Sequence, residues 1–131
     1  MDKEALQYLN DHQNYAIIGM SDNPKRYSYK IFMKLLEKGK NVYGINPIYD
    51  EIEGHHIYYE LSDVGKPIDC VILIVNPSIG IDYLHETFTL GIKTLWLQPG
   101  SVSEEITEKA KFLRLNVIKD CVLHLYNYEI Y

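Results

Sequence analysis

The sequence predicts an α/β fold in three layers, built around a doubly wound, mainly parallel sheet of five strands. Short apolar runs bounded by Gly, Pro and Asn alternate with helical patterns along the 131 residues, which favours strand–helix–strand units. In the strand predicted at residues 69–75, the run over residues 70–75 is apolar on both faces, as expected for a parallel strand covered by helices on both sides. Right-handed crossovers then favour the strand order 3-2-1-4-5.

The N-terminal segment predicts a short helix followed by the first strand. Leu6 and Leu9 are three residues apart and share one face of a helix over residues 2–12, with Asp2 as its expected N-cap. The apolar run that follows predicts a strand over residues 15–20.

A second helix and a second strand are predicted next. Apolar residues recur at helical spacing over residues 28–38, with Ser28 as a candidate cap. Gly39 ends this helix in the way a glycine at the C′ position does. The second strand spans residues 41–45.

The middle of the chain contains the third strand, at residues 69–75. Before it, residues 48–59 are polar and aromatic, and Gly54 marks a turn within them. Residues 61–65 are typical of a single helical turn.

The C-terminal half continues the alternation. Its predicted elements are a helix over residues 78–90 ended by Gly91, a strand over residues 93–97, a helix over residues 103–113, a strand over residues 116–119 and a short helix or turn over residues 121–126. The helix over residues 103–113 has the clearest start, because Ser103 is a capping residue followed by two glutamates.

Bulk composition restricts the classes of function. A net charge of -5 and a pI near 5.5 disfavour nucleic-acid binding, which needs a basic face. Cys70 and Cys121 are far apart, so neither a disulfide framework nor a zinc site is indicated. No apolar run approaches the roughly 20 residues of a membrane span, and no signal peptide precedes the fold, so no membrane role and a cytoplasmic location are expected. One domain, with its core at about residues 15–125, accounts for the length.

The loop after the first strand is the strongest candidate for a binding site. Ligands of open α/β sheets bind at the carboxyl ends of the strands, and this loop leads into the start of a helix. The hydroxyl of Ser21 and the backbone N–H groups ahead of Ser28 are suited to phosphate oxygens, and Lys25 and Arg26 add positive charge. The alternative interpretation is a plain strand-to-helix turn.

Other cofactor and metal sites are disfavoured. Ser21 stands where the dinucleotide fingerprint G-x-G-x-x-G has its second glycine, and Asn46-Pro47 follows the second strand where NAD-binding domains carry an acid. His55 and His56 are adjacent and point to opposite faces of an extended segment, so no metal site is predicted. No catalytic triad is indicated. Of the two interpretations of Cys121, a small apolar residue is favoured over a reactive thiol.

A succession of short motifs resembles one known family. The motifs are Ala16–Pro24, Ser28-Tyr29, Gly44–Pro47, Ile52–Gly54, Asp69–Val71, Thr94–Gly100 and Asp120-Cys121. Their order and spacing over residues 15–125 are similar to those of the small stand-alone CoA-binding proteins. These are single Rossmann-like domains similar to the CoA-binding domain of the succinyl-CoA synthetase α subunit.

The resemblance implies a coenzyme A or acyl-CoA ligand at the carboxyl edge of the sheet, with no catalytic residue. By position, the phosphates would contact Gly19, Ser21, Asn23 and Ser28. The phosphate on the ribose would contact Lys25 or Arg26.

The rest of the implied ligand extends over three further loops. Asn46 and Pro47 would border the adenosine. Val75, Asn76 and Pro77 would form the opposite wall, although many family members carry an aromatic–arginine pair where this chain has Val75-Asn76. Gln98 and Gly100 would lie toward the pantetheine arm.

Two other classes of function stay open at this point. One is an NAD(P)-binding oxidoreductase or redox sensor on the same fold. The other is a structural subunit of a larger complex, or a homo-oligomer, that uses the tyrosine-rich residues 126–131 as a contact.

Overall fold

A seven-stranded sheet lies at the centre of the protein, in the order β3-β4-β2-β1-β5-β6-β7. The computed structural model describes residues 3–130. The strands are β1 Asn14–Ile18, β2 Asn41–Ile45, β3 Glu51–Ile52, β4 His55–Tyr58, β5 Cys70–Leu73, β6 Thr94–Leu97 and β7 Asn116–Lys119. The helices are α1 Lys3–Asp11, α2 Tyr27–Glu37, α3 Pro77–Gly80, α4 Leu84–Thr89, α5 Glu104–Phe112 and α6 Val122–Ile130, with 3-10 turns at Leu61–Asp63 and Ile81–Tyr83.

The predicted fold class is confirmed, but the strand number and the assignment of the strand order are corrected. The expected order 3-2-1-4-5 put the strand near residues 69–75 beside the second strand, whereas β5 pairs with β1 on the side away from β2. The place next to β2 belongs to β4, which pairs with it in parallel through Ile57 and Tyr58. Counted along the chain, the six parallel strands therefore run 3-2-1-4-5-6, with β4 as the third.

The two additional strands form a hairpin at the edge of the sheet. β3 and β4 pair antiparallel, and Glu53 and Gly54 connect them with φ angles of +53° and +79°. Two successive positive φ angles are the signature of a two-residue type I′ turn, which confirms the turn predicted at Gly54. In β4 only Ile57 is fully buried, so the segment lacks the apolar signal of a strand.

Helices cover both faces of the sheet, which explains the continuous apolar strands. On one face, α1, α2 and α6 pack over a cluster that contains Phe32, Trp96 and Leu125. On the other face, α4 and α5 pack over a second cluster that contains Leu84 and Ile106. All four residues of β5 and of β6 are buried between the two clusters, as the prediction for parallel strands requires.

Two helices differ from their predicted extents. The helix expected over residues 78–90 is divided into α3 and α4 by the 3-10 turn Ile81–Tyr83. Gly80 has a low helix propensity and lies against the sheet, where a Cβ would come within 3.1 Å of the Cδ1 atom of Leu73. The C-terminal helix α6 runs from Val122 to Ile130 and is longer than the short helix or turn that the sequence indicated.

The N-terminal helix is fastened to the sheet by a buried tyrosine. Tyr15 is fully buried in β1, and its hydroxyl donates hydrogen bonds to the carbonyls of Leu9 and His12. Asp2, the predicted cap of α1, and Tyr131 lie outside the described residues. In the part of the chain that the structure describes, no helix is both long enough and apolar enough to span a bilayer.

Candidate functional site

The turn after β1 requires a glycine. Gly19 has a φ of +95°, and a Cβ at this position would lie 2.5 Å from the Cγ1 atom of Val75 and 2.8 Å from the carbonyl oxygen of Ile74. The end of β1 therefore contacts the end of β5 more closely than any side chain permits. This contact lies at the switch point of the sheet, where the winding reverses between β1 and β5.

The same turn is held to the end of β2 by backbone and side-chain hydrogen bonds. The N–H groups of Gly19 and Met20 both donate to the carbonyl of Ile45, at 3.2 and 3.3 Å. The Nδ2 atom of Asn46 donates to the carbonyl of Met20 at 2.8 Å, and its Oδ1 atom accepts from the N–H of Ile48 at 3.0 Å. The side-chain amide of Asn46 therefore joins the loops after β1 and β2 into one wall.

The loop between Ser21 and α2 is stabilised by its own polar side chains. The Oγ atom of Ser21 accepts from the N–H of Asn23 at 3.1 Å, and the Oδ1 atom of Asn23 accepts from the N–H of Lys25 at 3.0 Å. The N–H of Arg26 donates to the carbonyl of Asn23 at 3.0 Å. These turns present the side chains of Lys25 and Arg26 beside the start of α2.

The N-cap of α2 is Arg26 and not Ser28, which the sequence predicted. Arg26 is the N-cap residue and makes no side-chain capping hydrogen bond, whereas Ser28 lies inside the first turn and is 3% exposed. The helical hydrogen bonds begin with the N–H of Lys30, which donates to the carbonyl of Arg26. The N–H groups of Tyr27 and Ser28 precede this bond and belong to the helix positions that have no intrahelical partner, which favours an anion in front of them.

These parts enclose a cavity of about 460 Å³, here called the corner cavity. Its lining residues are Gly19, Met20, Ser21, Lys25, Arg26, Tyr27, Ser28, Asn46, Tyr49 and Ile74. Six of the residues predicted as ligand contacts thus converge on one cavity at a helix N-terminus. The two cationic side chains and the helix dipole give it a positive potential suited to phosphate groups.

Four lining residues were not predicted from the sequence. Met20, Tyr27, Tyr49 and Ile74 all belong to the segments that follow the strands. For Tyr49 there was a signal, because it is an aromatic residue two positions after Pro47. Its hydroxyl donates to the Oδ1 atom of Asp22 at 3.2 Å and so closes the outer side of the cavity.

The predicted opposite wall lies at the end of β5. The side chain of Val75 occupies the space next to Gly19, while the exposed Asn76 caps α3 by accepting from the N–H of Ser78 at 3.0 Å. Pro77 is the first residue of α3. Pro47 does not line the corner cavity and borders a separate groove next to α4.

The two residues predicted near the pantetheine arm have different surroundings. Gln98 is fully buried at the end of β6, where its Oε1 atom accepts from the N–H of Val122 at 2.9 Å. Its Nε2 atom has no hydrogen-bond partner among the described residues. Gly100 is exposed in the following turn with a φ of +94°.

A buried serine, missed from the sequence, joins the loops after β5 and β6. The Oγ atom of Ser101 donates to the carbonyl of Val75 at 2.7 Å, and the N–H of Val75 donates back to it at 3.1 Å. In the same region the indole N–H of Trp96 donates to the carbonyl of Asp120 at 2.8 Å. Buried polar side chains therefore position the carboxyl ends of β5, β6 and β7 relative to one another.

A second cavity, of about 710 Å³, lies at the ends of β6 and β7. Tyr27 lines both this cavity and the corner cavity, so the two adjoin at the start of α2. Lys30, Lys119 and the half-buried Cys121 also line it. The other cysteine, Cys70, lies inside the sheet, where burial raises the pKa of its thiol, and it has no access to this edge.

The adjacent histidines are on opposite faces of β4, as the alternation of a strand requires. The ring of His55 packs edge-on against Phe32 at 5.3 Å, and the ring of His56 packs against Tyr58 at 4.6 Å. Among the side chains that the structure describes, no three of His, Cys, Asp or Glu are grouped in a way that would hold a metal ion.

The sheet order and the corner cavity define a doubly wound α/β domain with a cavity at its switch point that is lined by two cationic side chains. The chain belongs to the CoA binding domain family, whose sequence pattern it matches over residues 13–127. This family assignment confirms the resemblance seen in the sequence.

Relatives of two kinds share this domain. The ADP-forming acetate–CoA ligase of Methanocaldococcus jannaschii is 29% identical in an alignment of 133 positions, which covers 95% of this chain and 19% of the ligase. The uncharacterized protein YneT of Bacillus subtilis is 26% identical, over 89% of this chain and 87% of its own length. The chain therefore spans about a fifth of the ligase and most of the small relative.

Solved structures agree with the fold. A hypothetical protein from Pyrococcus horikoshii superposes over 100% of this chain and 94% of its own, with a TM-score of 0.91 and 26% identity. A conserved hypothetical protein from Pyrococcus furiosus matches over 88% of this chain and 99% of its own, with a TM-score of 0.80 and 33% identity. Both are small proteins of similar length to this chain.

Proposed function

We propose that this protein binds coenzyme A or an acyl-CoA at the carboxyl edge of its sheet, as a binding or regulatory module without a catalytic step. The observation that carries the proposal is the corner cavity, in which Ser21, Lys25, Arg26 and Ser28 converge at the N-terminus of α2. Membership of the CoA binding domain family supports the same ligand. A single domain acting in the cytoplasm is part of the proposal.

The proposed phosphate contacts follow from charge and geometry. The N–H groups at the start of α2 and the hydroxyl of Ser21 are suited to the diphosphate, because they combine fixed donors with the positive end of a helix. Lys25 and Arg26 are exposed, and either side chain can extend to the phosphate on the ribose. Gly19 lets the turn after β1 approach the end of β5, which fixes the position of this backbone.

The remainder of the ligand needs more room than the corner cavity provides. The loops that carry Pro47 and Asn76 flank this cavity and are proposed to hold the adenosine. The pantetheine arm is proposed to extend past Tyr27 into the cavity lined by Lys30 and Cys121, below the turn of Gly100. The shared Tyr27 supports this continuity.

A nicotinamide cofactor fits the same edge less well. The residue after β2 is Asn46, whose amide is already engaged at both ends by Met20 and Ile48. An acid at this place normally holds the ribose hydroxyls of NAD. The proposal therefore favours CoA over NAD(P).

Calorimetric titration of the protein with CoA, dephospho-CoA and NAD tests the proposal. We expect CoA to bind in the micromolar range, and Lys25→Ala and Arg26→Ala each to weaken it, by about fivefold to tenfold for the residue that contacts the ribose phosphate. For that residue the effect should disappear with dephospho-CoA, which lacks this phosphate.

Lys66→Ala is the matched control, because Lys66 is exposed in the loop before β5, at the opposite edge of the sheet. Its CoA affinity should equal that of the unmodified protein. The absence of binding heat with CoA at about 1 mM, or tighter binding of NAD than of CoA, would sink the proposal.

A further inference from the structure

A groove of about 760 Å³ lies on the face of the sheet that carries α4 and α5, between the 3-10 turn Leu61–Asp63 and α4. Here it is called the acidic groove. Its walls carry three exposed apolar side chains, Tyr59, Ile79 and Leu90, and three carboxylates, Glu60, Asp82 and Glu86. Pro47 at one end is its only residue among those assigned to CoA binding, so most of the groove has no role in the proposed function.

The carboxylates of the groove surround one phenol. Glu60, Asp82, Tyr83 and Glu86 all line the groove. Burial raises the pKa of Tyr83, and the negative charges of Glu86, Glu60 and Asp82 raise it further. No lysine or arginine is among the described residues that line the groove. The groove thus combines apolar surface with negative charge and favours an apolar group flanked by cations.

The protein presents such a group at the end of α5. Phe112 is 85% exposed, the highest exposed fraction among the large apolar side chains that the structure describes. Three cationic residues, Lys109, Lys111 and Arg114, lie within three positions of it, against one acid, Glu108, one turn earlier. No ion pair between described side chains engages these three cations. Phe112 and the three cations are called the basic knob.

We propose that the acidic groove of one copy receives the basic knob of a second copy of this chain. Charges of opposite sign then meet around a buried phenyl ring, and the groove volume exceeds that of the ring. α4 and α5 pack on the same core cluster, so groove and knob belong to one face of the molecule. A two-fold axis through this face makes both contacts at once, which gives a closed dimer and no fibre.

Sedimentation velocity of the full chain, from about 1 to 500 µM, measures the association. The expected species at high concentration has twice the 15.3 kDa mass of the chain. Phe112→Asp should raise the dissociation constant of the dimer by at least about tenfold, as the loss of a central interface anchor does. Glu86→Lys and Lys111→Glu should each raise the dissociation constant. The protein that carries both changes should recover affinity, because the charge at position 86 of one copy is again opposite to the charge at position 111 of the other.

Val102→Asp is the matched control, since Val102 is an exposed apolar residue outside both groove and knob. It should leave the dissociation constant unchanged, and circular dichroism should show that every variant is folded. A chain that is monomeric throughout, a mass that grows beyond two chains, or a dimer insensitive to Phe112→Asp overturns the proposal. If the chain is monomeric, the partner of the groove would have to be a different protein. CoA titration of the same sample tests CoA binding independently of the dimer.

Discussion

At the scale of the residue, the corner depends on Gly19. Gly19→Ala should lower the free energy of unfolding by about 2–4 kcal/mol, because it combines a strained positive φ with a clash against Val75 and the Ile74 carbonyl. Gly39→Ala is the control, since Gly39 also has a positive φ but no atom lies within 4 Å of a Cβ there. It should lose only the backbone term, about 1–2 kcal/mol. Urea unfolding measures both, and equal losses would contradict the close contact of β1 with β5.

Single residues of the corner were predictable where their chemistry is local. Ser21, Lys25 and Arg26 follow a strand and precede a helix, so sequence order alone brings them to the same cavity. Ser28 was predicted as a cap, but α2 begins one residue earlier and the serine is buried in its first turn. The contact of Asn46 with Met20 was not predictable, because it joins two loops that are 26 residues apart in the chain.

At the scale of the element, two loops depend on one buried hydroxyl. Ser101→Ala leaves the N–H and the carbonyl of Val75 without their partner and should lower the free energy of unfolding by about 1–3 kcal/mol. Because the loops after β5 and β6 then lose their connection, CoA affinity should fall as well. Chemical denaturation and calorimetry measure the two effects.

Ser103 provides a control that separates a loss of protein stability from a displacement of the binding loops. Ser103 caps α5 by accepting from the N–H of Ile106, and Ser103→Ala should cost about 1 kcal/mol of stability. The CoA affinity of this variant should not change. If Ser101→Ala also retained full affinity, the loops after β5 and β6 would not contribute to the binding site.

The elements differ in how far the sequence determines them. The strand at residues 116–119 and the capped helix α5 were predicted closely, because their apolar and capping patterns are local. β4 was missed as a strand, since it has one fully buried side chain and pairs with β2 over two residues. Crossover handedness restricts the strand order but does not say which segment fills the place beside β2.

At the scale of the whole molecule, charge is distributed unevenly. The net charge is -5, yet the corner cavity carries Lys25 and Arg26 at a helix N-terminus, and the acidic groove carries three carboxylates. From the net charge alone we predicted that the protein does not bind nucleic acids. The net charge does not indicate that positive and negative charges lie on separate surfaces. The two cations are neighbours in the sequence, whereas the fold brings Glu60 together with Asp82 and Glu86.

An NMR titration of ¹⁵N-labelled protein with CoA tests most directly the proposed binding of CoA at the corner cavity. Saturating shifts of the amide signals of Gly19, Ser21 and Ser28 are expected, because their N–H groups border the proposed phosphate positions. The amides of Glu108 and Phe112 in α5 should not move with CoA. No shift at the corner, or shifts confined to α5 and the acidic groove, would contradict the account.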